Sequence, residues 1–320
     1  MMPIPPAPVP TAAAGSPLRA ALKWAAEYTV AASGVDRLAM ALRRVGVLVL
    51  AYHNVVPAGD RPAGDRSLHL PQDAFARQLD ELRRTHRIVP LESAFDAPVD
   101  GRPRAVVTFD DACRGAVTAG IDELARRGIP ATFFVAPGLL GTVPWWDELS
   151  GPDGLDPAVR AHALDALGGR PDDVRAWAKA EGIARHAIPS SQRIATLDEL
   201  GKAARERGVR LAAHGWSHAR LDALAPAELE EELARPLAWL REHFPAATIP
   251  WLAYPYGLWS REVEEAAERA GYAGAFRVDG GRLPLVGAAP GFSLPRLNVP
   301  AGISDTGFRI RLAGLGGSER

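Results

Sequence analysis

Residues 105–136, AVVTFDDACRGAVTAGIDELARRGIPATFFVA, decide the fold. The stretch opens on the apolar run Ala105–Phe109 and closes on a second, Ala131–Ala136. Each is short, rich in β-branched and aromatic residues, and reads as a strand buried on both faces. Between them, residues 115–127 read as a helix stopped by Gly128 and Pro130. Strand, helix and strand in this span make a βαβ unit, which implies parallel pairing.

The pattern spreads in both directions. Residues 45–52 form an apolar run with three valines and read as another buried strand. Residues 72–84 form an amphipathic helix, with Phe75, Leu79 and Leu82 on one face. Further short strands are expected at 209–213, 250–254, 273–277 and 293–298, with helices at 226–243 and 259–270. Seven strands alternating with helices suit a single (β/α) barrel over residues 45–305, with an open α/β sheet as the alternative. Residues 141–195 break the rhythm. They start with Trp145-Trp146, continue with two polar helices, and read as an insertion on one barrel loop. Residues 1–44 read as a Pro/Ala-rich disordered tail followed by a helix at 18–43, and 306–320 as a C-terminal tail. That first helix is expected to pack on the domain or, with Arg37, Arg43 and Arg44, to make peripheral contact with a membrane surface.

Composition narrows the class. The chain has 320 residues, 47% hydrophobic and 23% charged, which is globular. A net charge of -1 implies no bulk attraction to nucleic acid. One cysteine, Cys113, excludes a disulfide within the chain and reads as a small core residue. No apolar run reaches membrane-spanning length, and the N-terminus has neither the basic nor the apolar region of a secretory signal. The expectation is a cytoplasmic protein without a transmembrane span.

In a parallel barrel, chemistry gathers where strands end. The strand at 105–109 runs into Asp110-Asp111, and that at 209–213 into His214-Gly-Trp-Ser-His218. The strand at 45–52 ends in His53, and that at 250–254 leads into Pro255-Tyr256-Gly257. Adjacent buried aspartates are costly without partners, and a divalent cation would satisfy one of them. His214 and His218 stand four apart, so a helical backbone would aim both rings at one point. Two imidazoles and one carboxylate leave a coordination position open. That is the pattern of a catalytic zinc-type site, with cobalt, nickel and manganese also suited.

Thr108-Phe109-Asp110-Asp111, His214–His218 and Tyr254-Pro255-Tyr256-Gly257 together resemble the polysaccharide deacetylases, the NodB-homology group of carbohydrate esterase family 4. The resemblance covers roughly residues 45–300. It implies a distorted (β/α)7 barrel and metal-dependent removal of N-acetyl groups from a glycan. Carried over by motif, Asp111, His214 and His218 are the metal ligands and Asp110 the general base. The Tyr256 amide is the oxyanion donor, and Trp216 and Tyr254 are substrate contacts, Trp216 lining the acetyl pocket. Two departures stand out. The arginine that usually opens the third motif and braces the catalytic aspartate is Ala253 here, and Arg296 is the candidate to replace it. The family's late general-acid histidine is absent, since no histidine follows His243. Leu50-Ala-Tyr-His53-Asn-Val and Phe75-Ala-Arg-Gln-Leu79 resemble the poly-N-acetylglucosamine deacetylase branch, where the catalytic histidine lies on the first strand. His53 is therefore the expected acid, against the plainer reading of a strand-capping side chain. Trp145 and Trp146 are expected either to stack on a sugar or to pack the insertion. His69, His86, His162, His186 and His243 receive no role. The rivals are hydrolysis of a non-sugar amide, and a sugar-binding protein with a degraded site.

Overall fold

A computed structural model describes residues 46–96, 102–283 and 291–315, with Glu27, Thr29 and residues 33–35 before them. The described strands are β1 (Val47–Tyr52), β2 (Asn54–Val56), β3 (His69–Pro71), β4 (Arg87–Ile88), β5 (Arg104–Phe109), β6 (Ala131–Val135), β7 (Val209–Ala213), β8 (Thr248–Ala253), β9 (Gly274–Phe276) and β10 (Leu297–Asn298). The α-helices are α1 (Gln72–Thr85), α2 (Ile121–Arg127), α3 (Trp145–Glu148), α4 (Pro157–Asp165), α5 (Pro171–Ala180), α6 (Leu197–Ala203), α7 (Pro226–His243), α8 (Arg261–Arg269) and α9 (Asp305–Leu312).

Seven strands pair in the order β10-β1-β5-β6-β7-β8-β9, every pair parallel. The short β4 flanks only the first two residues of β5. The two ends of the sheet are drawn together by residues 294–298. Leu294 N–H donates to the Ala275 carbonyl (3.0 Å), and Arg277 N–H donates to the Leu294 carbonyl (2.9 Å). Three residues on, Leu297 pairs with Leu50 of β1. The sheet thus curls into the distorted (β/α)7 barrel expected. The strand expected at 293–298 is regular only at its end, because Pro295 has no N–H to give to a ladder.

Strand alternation sorts the core into two layers. Val49, Val106, Phe134, Ala212, Trp251 and Phe276 belong to one cluster, which fills the barrel interior. Leu50, Val107, Phe133, Leu211, Leu252 and Ala275 belong to the other, under the helices. The alternation continues past the strand ends. His53, Asp110 and His214 fall on the interior parity of β1, β5 and β7, so they are delivered to the barrel mouth. At the opposite end, Phe95 stacks on Trp251 (centroids 5.4 Å apart).

The helix expected at 115–127 starts as a π turn over Ala116–Gly120 and becomes regular in α2. Gly115 sits where a Cβ would collide with the Val55 carbonyl, so the chain there must be glycine. The insertion holds the two expected polar helices, α4 and α5, and the single turn α3 that carries both tryptophans. One expectation is corrected. Residues from 306 are not a tail at first: α9, N-capped by Ser304, buries Phe308 and Leu312 against α1. Its apolar residues alternate with arginines, and that pattern hid the helical face. Glu27 and Thr29 are helical, and Glu27 accepts a hydrogen bond from Ser304 Oγ (2.6 Å). The remainder of the reading for residues 1–44, including the membrane contact, lies outside the described residues. Among the described residues, no helix is long and apolar enough to cross a membrane.

Phe134 is fully buried in the barrel interior. Phe134→Ala is expected to lower unfolding stability by about 3–5 kcal/mol in a denaturant titration. Leu197→Ala, at a position 46% exposed, should cost no more than about 0.5 kcal/mol.

Candidate metal and catalytic centre

The turn after β5 builds the centre. Asp110 N–H still pairs with β1, donating to the Tyr52 carbonyl (2.9 Å). The next two residues leave the strand with positive φ, 67° at Asp111 and 54° at Ala112. Left-handed backbone at a non-glycine residue costs about 1–3 kcal/mol and persists only where surrounding contacts enforce it. Here Ala195 N–H donates to the Ala112 carbonyl (3.1 Å) and Arg114 N–H to the Arg193 carbonyl (2.7 Å). Among the described residues, the other non-glycine positive-φ positions are His218 (63°) and Tyr256 (60°). All such strain is therefore concentrated around one site.

Asp110 and Asp111 are both buried, and each carboxylate meets a different counter-charge. Arg296, with no exposed surface, grips Asp110 from inside the barrel: Nη1 donates to Oδ1 and Nη2 to Oδ2, both at 2.7 Å. Its Nη1 also donates to Thr108 Oγ1 (3.2 Å), whose own proton goes to the Leu50 carbonyl (2.7 Å). Its guanidinium carbon lies 5.0 Å from the Phe134 ring centre and 5.9 Å from that of Phe276. Burial pushes the Asp110 carboxyl up, but the Arg296 charge, assisted by His214, overrides it and holds the group below the usual carboxylate range.

Asp111 faces the histidines. His218 Nε2 is 3.1 Å and His214 Nε2 3.6 Å from Asp111 Oδ1. Burial again works against the charged carboxyl, and His218 with His214 more than offsets it, so Asp111 is depressed. Burial lowers the His214 imidazole to about 4, which keeps it neutral and able to ligate. One ligand atom from each of Asp111, His214 and His218 lies within 4.8 Å of the other two. Asp111 Oδ1 and His218 Nδ1 are buried without a hydrogen-bond partner among the described residues. An orphaned carboxylate oxygen facing two imidazole nitrogens suits a divalent cation. His214 Nδ1–H donates to the Ala253 carbonyl (2.7 Å), which leaves Nε2 as its ligand atom.

The His-x-x-x-His segment is not helical, contrary to the geometry its spacing suggested. Residues 214–220 form a loop in which Gly215 (71°) and His218 (63°) adopt positive φ. The loop is held by Glu232 of α7, a residue the sequence did not single out. Glu232 Oε2 accepts from Trp216 N–H (2.8 Å) and Ser217 N–H (3.0 Å), and Oε1 from Ser217 Oγ (2.6 Å). It is one of four glutamates in residues 228–232, so nothing local marks it out.

One cavity of about 200 Å³ joins His53, Asp110, Asp111, His214, His218 and Tyr256. Tyr254 also lines it, but its hydroxyl is committed to the Phe292 carbonyl (2.6 Å). Trp216 does not reach it. Its ring lies under Arg235, 3.6 Å from the guanidinium carbon, and it lines a separate cavity on the α7 side. The substrate contact expected of Trp216 is therefore corrected: the loop turns the side chain outward while the histidines flanking it turn in. Trp145 and Trp146 are buried wall residues rather than exposed platforms. The ring centres of Trp146 and Tyr256 lie 4.8 Å and 4.6 Å from that of His218, and Trp145 Nε1 donates to Tyr256 Oη (3.2 Å). The turn bearing them is pinned by Asp147, which meets His69 Nε2 (3.0 Å) and accepts from Asp65 N–H (2.8 Å).

The polysaccharide deacetylase family model matches residues 98–275, more than half of the chain. No curated protein matches the sequence. Among solved structures, the chain is similar to IcaB from Ammonifex degensii, with 20% identity, TM-score 0.57, and coverage of 85% of this chain and 98% of that one. It is also similar to the Streptococcus pyogenes deacetylase PplD, with 16% identity, TM-score 0.57, and 84% and 98% covered. A de-N-acetylase from Aggregatibacter actinomycetemcomitans gives 14% identity, TM-score 0.57, and 83% and 99% covered. These likenesses bear on the fold, and the fold agrees with the family match and with the buried Asp-His-His cluster. The chain belongs to the polysaccharide deacetylase family, metal-dependent hydrolases that remove acetyl groups from glycans.

Proposed function

We propose that the enzyme cleaves the acetamide of an N-acetylated amino sugar within a poly-N-acetylglucosamine-type glycan, releasing acetate and a free amine. The observation that carries this reading is the juxtaposition in one cavity of an Arg-braced aspartate with an Asp-His-His cluster. Asp111, His214 and His218 hold the cation, and zinc is the ion proposed, ahead of cobalt, nickel and manganese. When bound, it supplies Lewis-acid polarisation of the amide carbonyl and a lowered pKa for water.

The chain's own groups do the rest. Asp110, kept ionised by Arg296, accepts the proton of the attacking water through a carboxylate lone pair that Arg296 leaves free. The Tyr256 amide donates to the oxyanion as the carbonyl carbon becomes tetrahedral. His53 protonates the nitrogen of the leaving amine, and the C–N bond breaks to yield acetate. Arg296 takes over the bracing duty of the arginine missing at Ala253. Glu232 positions the histidine loop and acts only through it. An acetate-release assay on N-acetylglucosamine oligomers with metal added back tests the reading. Hydrolysis of simple acetamides but not of the oligomers would replace it with a non-sugar amidase.

Asp110→Asn and His53→Ala should each retain stoichiometric metal and lower kcat by about 10²–10⁴-fold, whereas Asp111→Ala should lose the metal in elemental analysis. Full turnover in either of the first two removes that residue from its role. Arg296→Met should free burial to raise the Asp110 carboxyl. The acid limb of kcat/KM, where the base becomes protonated, then moves to higher pH, while Arg296→Lys moves it less. Glu232→Ala should weaken zinc affinity about 10–100-fold in a chelator competition, with Glu232→Gln intermediate, because the amide keeps one acceptor for the loop.

A further inference from the structure

We propose that Trp259 forms a carbohydrate-stacking subsite at the cavity rim, holding a pyranose ring next to the one being deacetylated. The inference rests on the glycan reading above and adds a substrate-length requirement to it. The cavity, at about 200 Å³, is smaller than the roughly 300–1,000 Å³ of pockets that enclose a drug-sized ligand. It has room for about one acetamido sugar. A polymer must therefore lay its other residues on the rim.

Trp259 is placed to receive one of them. It follows Gly257, which lines the cavity together with Tyr256, by only two residues. It is 37% exposed, the most exposed tryptophan among the described residues. The usual apolar partner for a residue in this position is missing. Ser260 caps α8, so Trp259 occupies the position whose apolar side chain would staple onto the fourth helical residue. That residue is Glu264, which offers no apolar partner.

The neighbours of the ring are those a sugar needs. Arg277 lies with its guanidinium carbon 5.7 Å from the Trp259 ring centre and is tied to Asp279 (3.1 Å). Val278, next in sequence to Arg277, lines the cavity and packs against Gly257, so the segments that carry Trp259 and Arg277 both run along the cavity edge. A pyranose presents a face of C–H groups, whose positive edges suit the negative face of an indole. Its hydroxyls at the periphery would meet the fixed Arg277–Asp279 pair.

The test compares N-acetylglucosamine with its β-linked pentamer as substrates for zinc-loaded wild type, Trp259→Ala and Trp259→Phe. In the wild type, kcat/KM should rise with chain length. Trp259→Ala should raise KM for the pentamer about tenfold, with kcat and the monosaccharide kcat/KM unchanged, and Trp259→Phe should recover most of the loss. An unchanged length dependence in Trp259→Ala overturns the subsite and leaves the deacetylase reading intact. Equal losses on both substrates also overturn it, as they mark a merely structural role. A wild type inactive on both glycans overturns the glycan reading and the subsite with it.

Discussion

Two consecutive carboxylates, Asp110 and Asp111, are buried at the mouth of the barrel, and their charges have to be met separately. Like charges this close in a poorly solvated place repel, and neither could stay ionised alone. Arg296 rises through the barrel interior to grip the first, and His214 and His218 converge on the second. The arrangement gives chemically identical neighbours different work. Both oxygens of Asp110 are held by a permanent cation, whereas Asp111 Oδ1 has no hydrogen-bond partner among the described residues. That difference suits Asp110 to the proposed role of base and Asp111 to that of metal ligand.

Backbone shape supports the division. A strand alternates its side chains, so Asp110 and Asp111 would point to opposite faces if β5 simply continued. Positive φ at Asp111 and Ala112 bends the chain so that both reach the same cavity. The same device recurs at His218 and Tyr256. Each bend carries an energetic cost, which surrounding hydrogen bonds offset: Ala195 to Ala112 at one place, three donors to Glu232 at another. The insertion contributes too. Its first turn packs Trp146 against His218 and bonds Trp145 to Tyr256, so a segment outside the barrel repeat completes the wall of the site.

The family resemblance left a gap at Ala253, where an arginine would normally brace the base. The barrel fills it from a strand far away in sequence, since β10 closes the sheet against β1 and brings Arg296 beside β5. Ala253 meanwhile serves through its backbone, as its carbonyl orients His214. A missing motif residue is thus no sign of a degraded site when the topology returns the same charge to the same carboxylate.

The parallel strands, the main helices and the members of the Asp-His-His cluster are legible along the chain alone. Those follow from short-range facts: apolar runs, their periodicity, and polar residues at strand ends. The sequence also singled out Arg296 and His53 as candidates. Which way side chains turn where the backbone leaves regular geometry is set by tertiary packing. The spacing of His214 and His218 suggested a helix, but positive φ at Gly215 and His218 makes a loop that swings Trp216 out of the cavity. Glu232 was invisible because its role depends on α7 packing behind that loop, and one glutamate in an acidic run carries no local mark. The helix α9 was missed for the same reason, as its buried face is defined by α1 rather than by its own period. Motif chemistry is local and can be read along the chain, whereas the packing that aims it depends on how separate elements meet, as Arg296 meets Asp110 across 186 positions.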